Sequence, residues 1–187
     1  MMASSFGVIY TGYLPAFWIK LRFLAVPATS ATALAVQWPA WLGGPANVTV
    51  GLLSTFMAVI AIIAADTGAY LVGRSLGRTK LTKISPKKTV EGALGGLVCS
   101  AAASVGLSHA FSWPQPLYLG AIIGMLCFGT SLFGDLIESA MKRDAGMKDS
   151  GDLIPGHGGI LDRFDSYIFT GAMVYFFVTL GMPLFGL

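Results

Sequence analysis

The sequence predicts an all-α protein, a polytopic bundle of about six transmembrane helices with a charged site on the cytoplasmic face. Three observations lead there. Of 187 residues, 55% are hydrophobic and only 11% are charged, whereas soluble domains carry about a quarter charged residues. The apolar residues fall in runs long enough to cross a bilayer, which takes about 20 residues per helix. The charges cluster between those runs: Lys142 to Ser166 alone contains ten Asp, Lys, Arg or His residues.

The expected spans are 4–19, 23–42, 48–72, 92–112, 117–138 and 166–186. The first is short and ends at Lys20. The third and fifth run from apolar into polar sequence, so they are expected to project beyond the hydrocarbon or to carry functional groups at its rim. The 24 glycines suit close helix packing in lipid. Cys99 and Cys127 both lie in apolar runs without metal spacing and read as small core residues. The whole chain, 1–187, is read as one membrane domain.

All twelve Lys and Arg fall at Lys20/Arg22, between Arg74 and Lys88, or between Lys142 and Arg163. The nine acids sit in or beside the last two regions. The connections at 43–47 and 112–116 carry no charge. With alternating spans every charge then lies on one side, and the excess of Lys and Arg marks that side as cytoplasmic. Trp38, Trp41 and Trp113 would form an aromatic belt near the other side. The N-terminus is expected outside, and no cleaved signal peptide is expected because no basic segment precedes the first apolar run.

A solvated positive-inside surface explains the cations. It does not explain nine acids among them, because ionisable groups near lipid are expensive unless paired or used. On a helix through 131–146, Asp135, Glu138, Ser139 and Lys142 share one face, with Asp135 and Lys142 separated by about 10 Å of rise. In KDSGDLIPGHGGILDRFD, Gly156, Gly158 and Gly159 permit close backbone approach to a ligand. That loop also holds Asp149, Asp152, His157, Asp162, Arg163 and Asp165. Asp162 and Asp165 share a face if the last span begins there. Asp66 ends a long apolar run. Ser85-Pro86-Lys87-Lys88-Thr89 is a basic loop, where Thr89 could cap the next helix with Glu91 in its first turn. A helix N-terminus beside two lysines suits an anion.

These pieces imply one site for a phosphorylated ligand and Mg²⁺, which commonly binds one or two carboxylates plus substrate phosphates. The pattern G-x-x-x-x-G-K-[ST] is absent, as are H-E-x-x-H and G-x-S-x-G, so P-loop, zinc-protease and nucleophile-elbow chemistries find no support. Charges gathered at one face, with no internal repeat, weigh against a transporter.

Ser139-x-x-Lys142-Arg143, Lys148-Asp149, Pro155-Gly156-His157-Gly158-Gly159 and Asp162-Arg163-x-Asp165 resemble, without a gap, the signature of the phosphatidate cytidylyltransferases, or CDP-diacylglycerol synthases. Asp66-Thr67-Gly68-Ala69-Tyr70 and Ser85-Pro86-Lys87-Lys88-Thr89-x-Glu91-Gly92 resemble the family's earlier motifs, and GVIYTGYLP (7–15) its middle region. The chain resembles the C-terminal two-thirds of such an enzyme, without the family's further N-terminal spans.

The resemblance implies a nucleotidyltransferase that joins CTP and phosphatidate to give CDP-diacylglycerol and pyrophosphate. Its implied partners are CTP, phosphatidate, membrane lipid and a second copy in a homodimer, with no nucleic acid. The implied cofactor is Mg²⁺, with a second cation as an option. The bacterial inner membrane is the expected location. Asp135 and Asp162 are the first candidates for Mg²⁺, followed by Asp165 and Asp66. Lys87 and Lys88 would meet nucleotide phosphates, with Ser85 and Thr89 shaping their loop. Lys142, Arg143, Lys148 and Arg163, with Ser139, would divide the remaining phosphates. His157 would donate a hydrogen bond to phosphate, among Gly156, Gly158 and Gly159. The alternatives are a related CTP-dependent prenol or phytol kinase, or an inactive membrane fragment of the synthase.

Overall fold

Small residues set the spacing of the helices. The computed structural model describes residues 2–24, 48–82, 85, 87–147, 150–151 and 159–185. In chain order these form α1 (Met2–Val8), a π-helical turn (Ile9–Tyr13), α2 (Ala16–Arg22), α3 (Val50–Leu76), α4 (Val90–Ala110), α5 (Pro116–Asp144) and α6 (Leu161–Phe176). A second π turn (Phe177–Gly181) and a 3₁₀ turn (Met182–Phe185) continue α6. Among the described residues there is no strand, only an isolated bridge between Lys80 and Thr89.

Among the described residues, four helices are long and apolar enough to cross a membrane: α3 with 27 residues, α4 with 21, α5 with 29, and Leu161–Gly181 with 21. At 1.5 Å per residue, about 20 residues cover the hydrocarbon. The lengths of α3 and α5 therefore leave polar turns beyond it, as their sequence pattern predicted. The segment expected to span at 4–19 is instead divided into α1, a π turn closed by Leu14 N–H to the Ile9 carbonyl (2.9 Å), and α2. Pro15, which lacks an N–H, stands at the junction. The span expected at 23–42 lies mostly outside the described residues.

The long helices are antiparallel neighbours. The α4 face buried against α3 and α5 reads Gly92, Gly96, Ser100, Ser104, Ser108, a small residue every fourth position that lets backbones approach. Ser100 Oγ donates to the Gly124 carbonyl of α5 at 2.9 Å. The α5–α6 seam carries Thr130 and Thr170, hydroxyl to hydroxyl at 3.0 Å. This alternation gathers the α3 C-terminus, the α4 N-terminus, the α5 C-terminus and the α6 N-terminus at one end of the bundle. An apolar cluster that includes Leu21, Val50, Phe111, Trp113, Leu119 and Met182 closes the other end.

That arrangement corrects three expectations. Tyr10 packs on Phe169 and Phe17 on Phe176, with ring centroids 5.6 and 5.3 Å apart, so the path through α1 and α2 runs along α6 away from the charged end. Lys20 and Arg22 consequently lie with the N-terminus of α3, where a Cβ on Gly51 would meet the Leu24 carbonyl at 2.8 Å. Among the described residues, eight of the ten cations, not all of them, belong to the charged end of the fold. Lys20 instead lies over the Phe17 ring, 4.7 Å from its centroid, a setting that favours a cation. Trp113 is buried against Phe111 in the core rather than placed in a lipid-facing belt. Cys127 is buried as expected, but Cys99 is exposed on α4.

The α4–α5 contact depends on Gly124. A Cβ there would fall 2.6 Å from Ala101 Cα and 2.7 Å from the Ser100 carbonyl oxygen. Gly124→Val should therefore lower the melting temperature in detergent, since overpacking costs about 1–3 kcal/mol. Gly129→Val, on the same helix where nothing lies within 4 Å, should leave it unchanged. Equal melting temperatures for the two variants would contradict this packing.

Candidate active site

The basic loop between α3 and α4 is tied back on itself. Leu81 N–H donates to the Lys88 carbonyl at 2.8 Å and Val90 N–H to the Thr79 carbonyl at 2.9 Å. The Glu91 carboxylate accepts from the backbone N–H groups of Arg78 (3.1 Å) and Thr79 (3.2 Å). Ser85 closes the turn, its N–H donating to Thr82 Oγ1 and its carbonyl accepting from Lys88 N–H, both at 3.1 Å. Thr89 caps α4 as expected, its Oγ1 accepting from Gly92 N–H at 3.1 Å. Glu91 does more than the helix-dipole role read from its position, because it pins the opposite arm of the loop.

This folding presents Lys87 and Lys88 to a cavity of about 410 Å³ among α3, α4 and α5. Asp66, Tyr70 and Arg74 of α3, Leu81 and Thr89 of the loop, and Asp135 of α5 also line it.

Deeper between the helices lies an ionic core. Lys88 Nζ pairs with Asp135 Oδ2, joining loop to α5. Asp135 Oδ1 accepts from Ser166 Oγ of α6. Asp165 Oδ1 accepts from Ser166 N–H at 2.8 Å, and its charge lies within Coulombic range of Asp135 and Glu138. Lys142 bridges Glu138 at 2.8 Å and Asp162 at 2.6 Å. Asp162 Oδ2 further accepts from Ser150 N–H (2.9 Å), Ser150 Oγ (2.8 Å) and Gly159 N–H (2.8 Å). Two buried polar atoms face this region without a hydrogen-bond partner among the described residues: Glu138 Oε1 and the Tyr10 hydroxyl. Tyr10 lies within electrostatic range of Asp165, Glu138 and Asp135.

Sequence spacing anticipated much of this gathering. Asp135, Glu138 and Lys142 do share the inward face of α5, and Asp162 and Asp165 share that of α6, which starts at Leu161. Ser139 is partly buried on α5, while Arg143 and Arg163 are exposed around the core. His157, Lys148, Gly156 and Gly158 lie outside the described residues, as do Pro155, Asp149 and Asp152. Gly159 is explained by packing: a Cβ there would come 2.9 Å from Gly151 N. Ser150, Ser166 and Tyr10 were not singled out. A serine beside an acid gives no signal of which carboxylate it will serve, and Tyr10 arrives through a long-range helix contact.

The donor set fits a hard cation in one place better than another. Asp162 accepts from four chain donors on its two oxygens, whereas Asp135 accepts from two, Lys88 and Ser166, so Asp135 keeps the larger free acceptor capacity. Asp135 faces the cavity with its partner lysine, and Asp165 stands across Ser166. Five carboxylates (Asp66, Asp135, Glu138, Asp162, Asp165) lie among Lys88 and Lys142, a supply of hard oxygen donors that suits a divalent ion. Among the described residues, no three His, Cys, Asp or Glu side chains converge as a ready-made metal cage. Mg²⁺ does not require one, since it usually completes its shell with substrate phosphates and water.

Four long apolar helices among the described residues, with a lysine–carboxylate core gathered at one end, mark an integral membrane protein. The chain belongs to the cytidylyltransferase family, whose profile matches residues 1–181. It is 54% identical over 187 residues to phosphatidate cytidylyltransferase 4, chloroplastic, of Arabidopsis thaliana, covering 100% of this chain and 48% of that protein. It is 50% identical over 184 residues to the phosphatidate cytidylyltransferase of a Synechocystis species, covering 96% and 62%. With the Bacillus subtilis phosphatidate cytidylyltransferase the identity is 44% over 131 residues, covering 70% and 49%. The chain thus spans about half the length of the curated relatives it matches.

If Asp162 anchors the loop, Asp162→Ala should speed amide exchange at Ser150 and Gly159 by at least about tenfold, because a hydrogen bond to a charged group contributes about 1.5–3 kcal/mol. Hydrogen–deuterium exchange on peptides covering those residues reads the change. Undiminished protection at both amides would contradict the anchoring role.

Proposed function

We propose that this chain carries the reaction centre of a phosphatidate cytidylyltransferase, making CDP-diacylglycerol from CTP and phosphatidate. The observation that carries the reading is the junction of Lys88 with Asp135 at the floor of a rim cavity, in a chain of this family. A water-soluble triphosphate can enter such a cavity from the aqueous side, and a lipid phosphate can reach the same depth from the bilayer.

A phosphate oxygen of phosphatidate attacks the α-phosphorus of CTP. The new P–O bond forms as the bond to the β-phosphate bridging oxygen breaks, and pyrophosphate leaves with that electron pair. The nucleophile is already ionised at neutral pH, so no covalent enzyme intermediate and no strong base is required. The chain's task is to hold two polyanions together and offset their repulsion. Lys87 and Lys88 meet nucleotide phosphates, while Lys142, Arg143, Lys148 and Arg163 supply positive potential on the α5–α6 side. His157, in its glycine loop, donates to phosphate. Asp135, with Asp165 across Ser166 and Asp162 beside Lys142, would hold Mg²⁺, which when bound would supply charge neutralisation on the phosphates. Asp66 is the further acid within reach.

The gathering of eight described Lys and Arg at one end supports a site on the CTP-containing side, the cytoplasmic face of a bacterial inner membrane or the stromal face of a plastid membrane. A homodimer is part of the same reading and follows from the family resemblance.

Labelled CTP, supplied with Mg²⁺ and either phosphatidate or a polyprenol to the purified protein in detergent, tests the reading. Phosphatidate should yield CDP-diacylglycerol and pyrophosphate, and Asp135→Asn should lower turnover by about a hundredfold. Prenyl phosphate with CDP as co-product would favour the kinase alternative. No nucleotide-dependent transfer, or near-wild-type turnover by Asp135→Asn, would overturn the proposal.

A further inference from the structure

The rim cavity has two chemically different ends. Its inner end is ionic, with Asp66, Lys88 and Asp135. Its outer end carries an aromatic ring and a guanidinium, Tyr70 and Arg74, one turn apart on α3. Arg74 Nη1 donates to the Tyr70 hydroxyl at 2.8 Å, and the guanidinium carbon lies 6.0 Å from the ring centroid. Both residues line the same cavity as the lysines. Asp66 and Arg74 are eight residues apart on one helix, about 12 Å of rise. That separation matches the reach of a nucleotide from its phosphates to its base.

We propose that Tyr70 and Arg74 form the base-reading end of the nucleotide site and select cytosine over uracil; this rests on the proposed use of CTP. An aromatic face accepts any base by stacking, so Tyr70 supplies affinity. Arg74 supplies the choice. A guanidinium presents two parallel N–H donors. Cytosine offers two adjacent acceptors, N3 and O2, which match that fork. Uracil carries a hydrogen on N3, which sets donor against donor. The Tyr70 hydroxyl accepts one Arg74 N–H and so fixes the plane in which the fork is held, leaving further donors for the ring. The triphosphate then extends inward toward Lys87 and Lys88, which places the α-phosphorus nearer the ionic core than the base.

The bland role for the pair is a cation and an aromatic ring at the membrane rim. The two roles separate under Arg74→Lys, which keeps the charge but loses the fork, and Tyr70→Phe, which keeps the ring but releases the guanidinium. Turnover with CTP and with UTP, equilibrium binding of Mg·CTP and Mg·UTP by calorimetry, and inhibition by inorganic tripolyphosphate are measured on the full protein. Arg74→Lys should lower the CTP-over-UTP preference by about tenfold or more, in the range of a lost bidentate base contact, and Tyr70→Phe should lower it by less. Tyr70→Leu should raise KM for both nucleotides by about tenfold through lost stacking with little change in kcat. Tripolyphosphate, which has no base, should inhibit all variants like the wild type, and melting temperatures should stay unchanged. An unaltered CTP/UTP ratio in Arg74→Lys, or equal weakening of CTP and tripolyphosphate, would overturn the base-reading role. A wild-type protein that uses neither nucleotide would instead sink the proposed function, while the binding data would still report on Tyr70 and Arg74.

Discussion

The fold turns on one electrostatic constraint: carboxylates placed at helix ends beside a bilayer must meet cations. Ionised groups in such surroundings lose hydration that only close partners restore. Lys88 answers Asp135 across the loop and α5, and Lys142 answers Glu138 and Asp162 across α5 and α6. Because each lysine belongs to a different segment from at least one of its acids, pairing the charges also assembles the ends of the helices. The same bridges build the cavity, since Lys88 closes its floor.

Apolar packing does the complementary work. Glycine and serine at every fourth position of α4 let α3, α4 and α5 lie close together, while Gly134 of α5 lets the α6 backbone at Asp165 approach, which brings Ser166 within hydrogen-bonding range of Asp135. The far end is plugged by large side chains, among them Leu21, Phe111 and Trp113. The bundle therefore has an apolar end that is filled and an ionic end with room for a ligand. The proposed reaction between a soluble triphosphate and a membrane lipid would use such an asymmetry, because one reactant would arrive from each phase.

Much of this was legible in the sequence. Periodicity placed Asp135, Glu138 and Lys142 on one face of α5, and Thr89 announced itself as a cap. What local pattern could not supply was pairing at a distance. The role of Glu91 depends on a loop that returns to it from Arg78 and Thr79. The spacing of Asp162 marks it as a candidate metal ligand, but it does not reveal that Ser150, Gly159 and Lys142 also gather on its oxygens. Counting spans put Lys20 and Arg22 with the other cations, but α2 runs alongside α6 to the opposite end. Tyr10 was hidden for a similar reason: its burial beside the acids comes from how the π turn Ile9–Tyr13 packs on Phe169 of α6.

The most direct measurement is a double-mutant cycle on the bridge that joins the basic loop to α5. Lys88→Met, Asp135→Leu and the double variant are compared by melting temperature in detergent. Both side chains keep some solvent contact, at 27% and 19% exposure, so a coupling on the order of 1 kcal/mol is expected rather than the larger value of a fully buried pair. Each single variant should be less stable than the double, because each leaves one charge without its partner. Strictly additive losses would contradict the claim that this lysine–carboxylate bridge holds the site together.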